Sequence, residues 1–325
     1  MSVCLRKSKE IEVKQCDLIF DFVFNPKNDN ICLLSTVDGD IVMIDSQLET
    51  NSTVLTLDKH HKGSAIRKVR LHDDLLITAA KTIKIYDLNK GKVVRKIDND
   101  GCKIYSLLVI DNYLLCYGDD EGNFKVFDYR VDRGVHMNIK ECDDYISDLD
   151  IDSNKRVVVA SSGEGTLSAF NIRAKKLEPP QSELFDSGFQ CVRYMESKNK
   201  VLVGAEDGAI NIFNINEWGN ISDRFPIRGQ NSRCKGGCSV DNIEIVDTQN
   251  ILASSSDGKL RLVSILPNKI LQEVSIEKMS IEALALNGDK NKVAVAAANF
   301  VIFHDVVECE KNSSKSTNNE FFSDI

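Results

Sequence analysis

Two cysteines with three residues between them, in CKGGC (Cys234 to Cys238), have the spacing of half a zinc site. A tetrahedral zinc is normally held by four thiolates or imidazoles, and no second close pair completes the set, so the stretch reads as a loop carrying two thiols. The five histidines, His60, His61, His72, His136 and His304, are scattered, and only the first two are adjacent. Neighbours on a strand face opposite ways, which makes His60 and His61 a poor metal clamp. Carboxylates recur at Asp38, Asp119, Asp207 and Asp257, where turn chemistry accounts for them without acid–base catalysis. No glycine-rich phosphate loop opens a helix and no Gly-x-Ser-x-Gly elbow occurs. The expectation is a protein with no catalytic residue, no cofactor and no metal.

Charge narrows the class of partner. With 49 acidic residues against 41 basic ones, the net charge is -8. Nonspecific nucleic-acid affinity comes from counterion release by clustered cations, so indiscriminate phosphate binding is disfavoured. Two basic stretches stand out, KHHKGSAIRKVR (residues 59–70) and RAKKLEPP (residues 173–180). Both read as solvated loops or protein-docking edges ahead of RNA contacts, and RNA contact is left open. The ten cysteines lie mostly within apolar runs, as at Cys32, Cys116 and Cys191, which points to a reduced compartment. The amino terminus lacks the apolar stretch of a signal peptide. The most apolar window, VAVAAANFVIF (residues 293–303), is too short to cross a bilayer as a helix. No membrane partner is expected.

The elements that must carry these residues are strands. Five stretches share an acidic residue, a glycine and, five residues after the glycine, a large apolar residue: DGDIVMID, EGNFKVFD, EGTLSAFN, DGAINIFN and DGKLRLVS. KTIKIYD and ANFVIFH keep the strand and lose the glycine. The anchors Gly39, Lys81, Gly122, Gly165, Gly208, Gly258 and Ala298 stand 40–43 residues apart, except for one gap of 50. A period near 40 is that of a four-stranded propeller blade. Glycine suits the tight hairpin because it tolerates positive φ.

These motifs resemble the WD-repeat family over about residues 10–308. The Trp-Asp pair of that family is represented only by Tyr86-Asp87, Phe127-Asp128 and Ile44-Asp45, and no Gly-His pair precedes a repeat. The resemblance therefore implies an all-β, seven-bladed WD40-type β-propeller whose usual buried polar tetrad is incomplete and whose blades rest more on apolar packing between neighbouring sheets. The last repeat supplies three strands, so EIEVKQ (residues 10–15) is expected to complete the seventh blade and close the ring. Residues 1–9 then form an amino-terminal extension, and residues 309–325, rich in Ser, Asn and Lys, a disordered tail.

The 50-residue gap holds FNINEWGNISDRF (residues 213–225), with the sole tryptophan, Trp218. With LVSILPNKILQEV (residues 262–274) and the long stretches at 104–130 and 143–178, it is similar to the WD repeat-containing protein 55 family, fungal relatives included. That resemblance implies a monomeric, non-catalytic protein-interaction scaffold of the nucleus and nucleolus, with the cytoplasm as a further location. It would act in ribosome biogenesis through pre-ribosomal assembly factors, in ribosomal RNA production or processing. Trp218 either pins a connecting loop or serves as an exposed partner anchor, with Asp223, Arg224 and Phe225 beside it. A different reading rests on FDYR (residues 127–130), which resembles the box by which some propellers dock as substrate receptors onto the cullin-4 ubiquitin ligase adaptor. There Asp128 would sit at the rim and Arg130 would reach the adaptor.

Overall fold

Each of the seven anchors sits in the hairpin between the second and third strands of a four-stranded antiparallel sheet. The computed structural model describes residues 2–48, 52–131, 134–227, 238–276 and 279–309. Blades 1 to 6 occupy residues 19–57, 68–98, 104–140, 146–178, 189–226 and 240–275, and blade 7 combines residues 283–309 with the amino-terminal strand. Each innermost strand touches that of the next blade, and the innermost strand of blade 7 (Ala283–Leu286) returns to that of blade 1 (Ile19–Asn25), which completes the ring. Among the described residues, helix is confined to a single turn at Glu196–Lys198, and no helix is long and apolar enough to cross a membrane.

The turn glycines meet two demands. Gly39, Gly122, Gly165, Gly208 and Gly258 all adopt positive φ, between 72° and 92°. Each is also pressed against the segment that crosses to the next blade. A Cβ on Gly122 would lie 2.0 Å from the Cys142 carbonyl oxygen, and one on Gly258 2.3 Å from that of Met279. Ala298 takes the same left-handed conformation, φ 51°, at a strain glycine would avoid.

Ring closure follows the expected design at a different register. The closing strand is Ser2–Glu12, not residues 10–15, and it pairs antiparallel with Phe300–Cys309, Ile11 opposite Val301 and Ser2 opposite Cys309. The residues expected to form an extension are therefore largely strand. Leu5 and Ile11 are the reason: both are buried, Leu5 against blade 6 and Ile11 against blade 1. The tail expected to be disordered lies, beyond Cys309, outside the described residues.

A belt of bonds between innermost strands links the blades. In five blades the strand register shifts just before one residue, and that residue reaches the next blade. Asp21 accepts from the Val69 N–H at 2.9 Å, and Asp148 accepts from the Val192 N–H at 3.3 Å. Ser106 donates to the Ile146 carbonyl at 3.0 Å, the Cys191 thiol to that of Val240 at 3.7 Å, and Asn242 to that of Glu282 at 3.4 Å. Bulges re-aim side chains, which is why a polar residue in an apolar strand finds a partner here.

Apolar clusters fill the seams between blades, as expected, and polar knots are added to them. Other residues rebuild the polar knots. Thr78 is bonded by both His60 (3.1 Å) and His61 (2.8 Å) in blade 2. Asp119, fully buried in blade 3, accepts from the side chains of Asn99 (3.3 Å) and Asn123 (2.9 Å). In blade 6 the buried Arg261 guanidinium is gripped by Asp257 (2.5 Å), Glu273 (3.0 Å) and Ser255.

Candidate functional site

The stretch around Trp218 is a strand, Glu217–Pro226, the outermost of blade 5, and not a connecting loop. Trp218 is only 3% exposed, so it is a packing residue rather than an exposed anchor. Its indole meets Tyr194 edge-on at 6.5 Å and joins Phe189 and Phe213 in the seam between blades 4 and 5. It contributes to the floor of a groove of about 530 Å³ that Asn171, Tyr194 and Asn216 also line. Gly219 allows the approach, since a Cβ there would lie 2.9 Å from the Pro180 ring. The neighbouring candidates point elsewhere. Asp223 accepts from Asn268 of blade 6 at 2.7 Å, Arg224 pairs with Asp207, and Phe225 packs half-buried at the seam with blade 6. Alternation along the strand thus spreads the four residues over different surroundings.

Asp128 and Arg130 are brought together on blade 3. The Arg130 Nη2 lies 2.6 Å from Asp128 Oδ2 and its Nε 3.0 Å from Oδ1, and the guanidinium lies 3.8 Å above the Tyr113 ring. The hydrogen bond from Arg130 holds the Asp128 carboxyl below its usual range. Arg130 is exposed at the rim, yet its fork closes on its own box rather than reaching outward.

The sequence missed the mouth of the central channel on the face carrying the glycine turns. Its cavity of about 380 Å³ is lined by all seven blades, from Phe20, Arg67, Tyr105, Tyr145 and Gln190 to Asp241 and Glu282. Each blade supplies one to three residues, so no local motif announces the site; the basic stretch 59–70 is the one signal that points to it. One wall is aromatic and cationic, with the Arg67 guanidinium 4.1 Å from the Tyr105 ring and 5.6 Å from that of Phe20. The opposite wall is acidic. Burial raises the Asp241 carboxyl to about 7, and the charges of Glu282, Asp257 and Glu206 add to the effect.

Deeper along the innermost strands, Arg193 bonds Asp148 at 2.5 Å and Glu244 at 3.1 Å. Burial opposes ionisation of Asp148, but Arg193, with Lys68 and Arg70, overrides it and holds the carboxyl below its usual range.

His60 and His61 do not face opposite ways, because they lie in a turn rather than a strand, and both rings converge on Thr78. Burial, with Lys84 nearby, lowers His60 to about 4. Cys234 lies outside the described residues, and Cys238 is buried. Among the described residues, no group of three or more His, Cys, Asp or Glu is placed to hold a metal ion.

The family model WDR55 matches residues 9–308, the whole ring but for the start of its closing strand. WD repeat-containing protein 55 of Pongo abelii is 31% identical over 259 residues, covering 77% of this chain and 64% of its own length. The protein of that name from Mus musculus is 32% identical over 274 residues, 81% of this chain and 67% of its own. The Drosophila willistoni homolog is 28% identical over 347 residues, 98% of this chain and 66% of its own. The chain thus spans about two thirds of the length of these relatives.

Proposed function

The chain belongs to the WD repeat-containing protein 55 family, and from that premise we propose that it is a non-catalytic scaffold of nucleolar ribosome biogenesis, acting in ribosomal RNA production or processing. The observation that carries this reading is the match along the whole propeller, together with a WD-repeat fold whose loops and faces are suited to holding other proteins. Pre-ribosomal assembly factors are the proposed partners, and the nucleus and nucleolus the proposed location. Depletion followed by quantification of precursor and mature ribosomal RNA tests the reading. Accumulated precursors are expected, and an unaltered profile overturns it.

The receptor reading, docking on a cullin-4 ligase adaptor through Asp128 and Arg130, requires the Arg130 fork to leave Asp128 and Tyr113. Adaptor co-purification that survives Arg130→Ala counts against it.

A further inference from the structure

We infer that the mouth of the channel docks an acidic peptide segment of a partner protein, held by Arg67 together with Lys68, Lys81 and Lys103. This deepens the scaffold reading and rests on it only in taking the ligand to be a protein. Arg67 carries the argument. Its guanidinium lies over two ring faces, its backbone N–H is bonded to the Ala79 carbonyl at 2.9 Å, and its side chain has no hydrogen bond or ion pair among the described residues. A half-buried planar fork, oriented by rings and with unused donors, is arranged to take a carboxylate in paired hydrogen bonds.

The cationic surface extends outward from there. Lys68 lines the same cavity, while Lys81 and Lys103 line an adjoining cavity of about 170 Å³ that Arg67 also borders. None of these ammonium groups has an ion pair among the described residues. Farther along blade 2, burial lowers Lys84, and Lys96 and Lys62 lower it further, as expected where like charges crowd. In a chain of net charge -8, Arg67, Lys68, Lys81 and Lys103 thus form a local group of cations without an ion pair among the described residues, while Lys96 beyond them is paired with Asp98. Asp241 and Glu282 close the opposite side to an anion and so direct the ligand outward over blade 2.

Peptide is favoured over RNA because the aromatic faces are occupied. Tyr105 lies between Arg67 and Tyr145, whose ring is 4.8 Å away, and Tyr145 is packed against Gly163, where a Cβ would lie 2.3 Å from the ring. Phe20 already carries Arg67. Single-stranded nucleic acid binds such surfaces by stacking bases on free rings, which this wall lacks.

Fluorescence anisotropy of the full chain with a labelled Gly-Asp-Glu-Gly-Asp-Glu-Gly peptide tests the site, with its Lys-substituted counterpart and an eight-nucleotide uridine RNA alongside. Lys81→Ala/Lys103→Ala and Arg67→Lys, the second keeping the charge and losing the fork, are each expected to weaken the acidic peptide on the order of tenfold. Glu282→Gln should tighten it roughly twofold, because it removes a repelling charge. No binding of the acidic peptide, binding insensitive to all three variants, or tighter binding of the RNA or the basic peptide overturns the proposal. If Arg67→Lys lowers the melting temperature, the lysine pair decides, since those side chains hold no partner among the described residues. Precursor ribosomal RNA is a separate readout, so either reading can fail alone.

Discussion

The seam between blades 4 and 5 and the seam between blades 6 and 7 are both filled with buried apolar side chains, yet they treat their polar groups differently. The first is crossed by a buried charge pair, Arg193 bonding Asp148 at 2.5 Å, and the Tyr194 hydroxyl donates to the Val157 carbonyl at 3.3 Å beside the buried Trp218, while one buried acceptor, Asn211 Oδ1, has no partner among the described residues. The second is crossed by neutral bonds, Gln272 of blade 6 accepting from the Leu5 N–H at 2.8 Å and donating to the Leu5 carbonyl at 3.0 Å, and it buries His304 completely with neither ring nitrogen partnered among the described residues. His304 stands opposite Val293 and Lys7, which places it on the blade 6 side of the closing sheet. Burial lowers its pKa, and Lys7 lowers it further, so the imidazole is kept neutral. A satisfied polar group ties neighbouring blades together, whereas an orphaned one costs about 1–3 kcal/mol. The aromatic seam thus sets a charge pair against one orphaned amide oxygen, and the closing blade sets neutral bonds against a wholly orphaned imidazole.

That contrast can be broken or sharpened experimentally. Removing residues 2–12 should have the largest effect, exposing Leu5 and Ile11 contacts and a free strand edge, with a melting temperature lower by on the order of 10 °C or more. Hydrogen exchange should then rise in blade 7 before blade 4, and the reverse order would break the comparison.

Next come Arg193→Ala, which strands buried Asp148, and Trp218→Ala, which leaves a cavity; each should cost about 3–5 kcal/mol in urea unfolding. His304→Leu should do the opposite and stabilise by about 1–3 kcal/mol, read as a higher denaturation midpoint. A lower midpoint would mean that the imidazole has a partner in solution.

The pH dependence has a definite sign. His304 has a depressed folded pKa, so its contribution is intact above the ordinary value of 6.5 and is lost as pH falls, because the unfolded chain takes the proton first. The stability advantage of His304→Leu should widen from pH 7 to pH 5. The smallest effect is expected from Asp241→Asn. A carboxyl raised from 3.8 to about 7 loses stability progressively between those values, because the unfolded chain ionises first, so this variant should melt roughly 2–4 °C higher at pH 8, with a smaller gain at pH 5 and none at pH 3.

Much of the architecture is legible from the spacing of its turns. An acidic-Gly hairpin is a local event, and the positive φ of Gly39 and its counterparts is what their sequence announces. The closing strand was legible in kind but not in bounds, because the alternation that buries Leu5 has meaning only beside blade 6. The strand of Trp218 is hidden in the sequence for a similar reason: it follows Asn214 after a short turn and departs from regular register at Phe213. The channel mouth was not legible at all. Arg67, Tyr145 and Asp241 lie on different blades, and only the closed ring brings them to one cavity.

The pairing of Ser2–Glu12 with Phe300–Cys309 also sets a timetable. Of the strands of the ring, the one made earliest cannot find its place until the one made latest has followed it, a wait on the order of tens of seconds at ordinary rates of synthesis. Through that interval Leu5 and Ile11 have nowhere to go, and the growing ring is an open arc with an unpaired strand at each of its two edges.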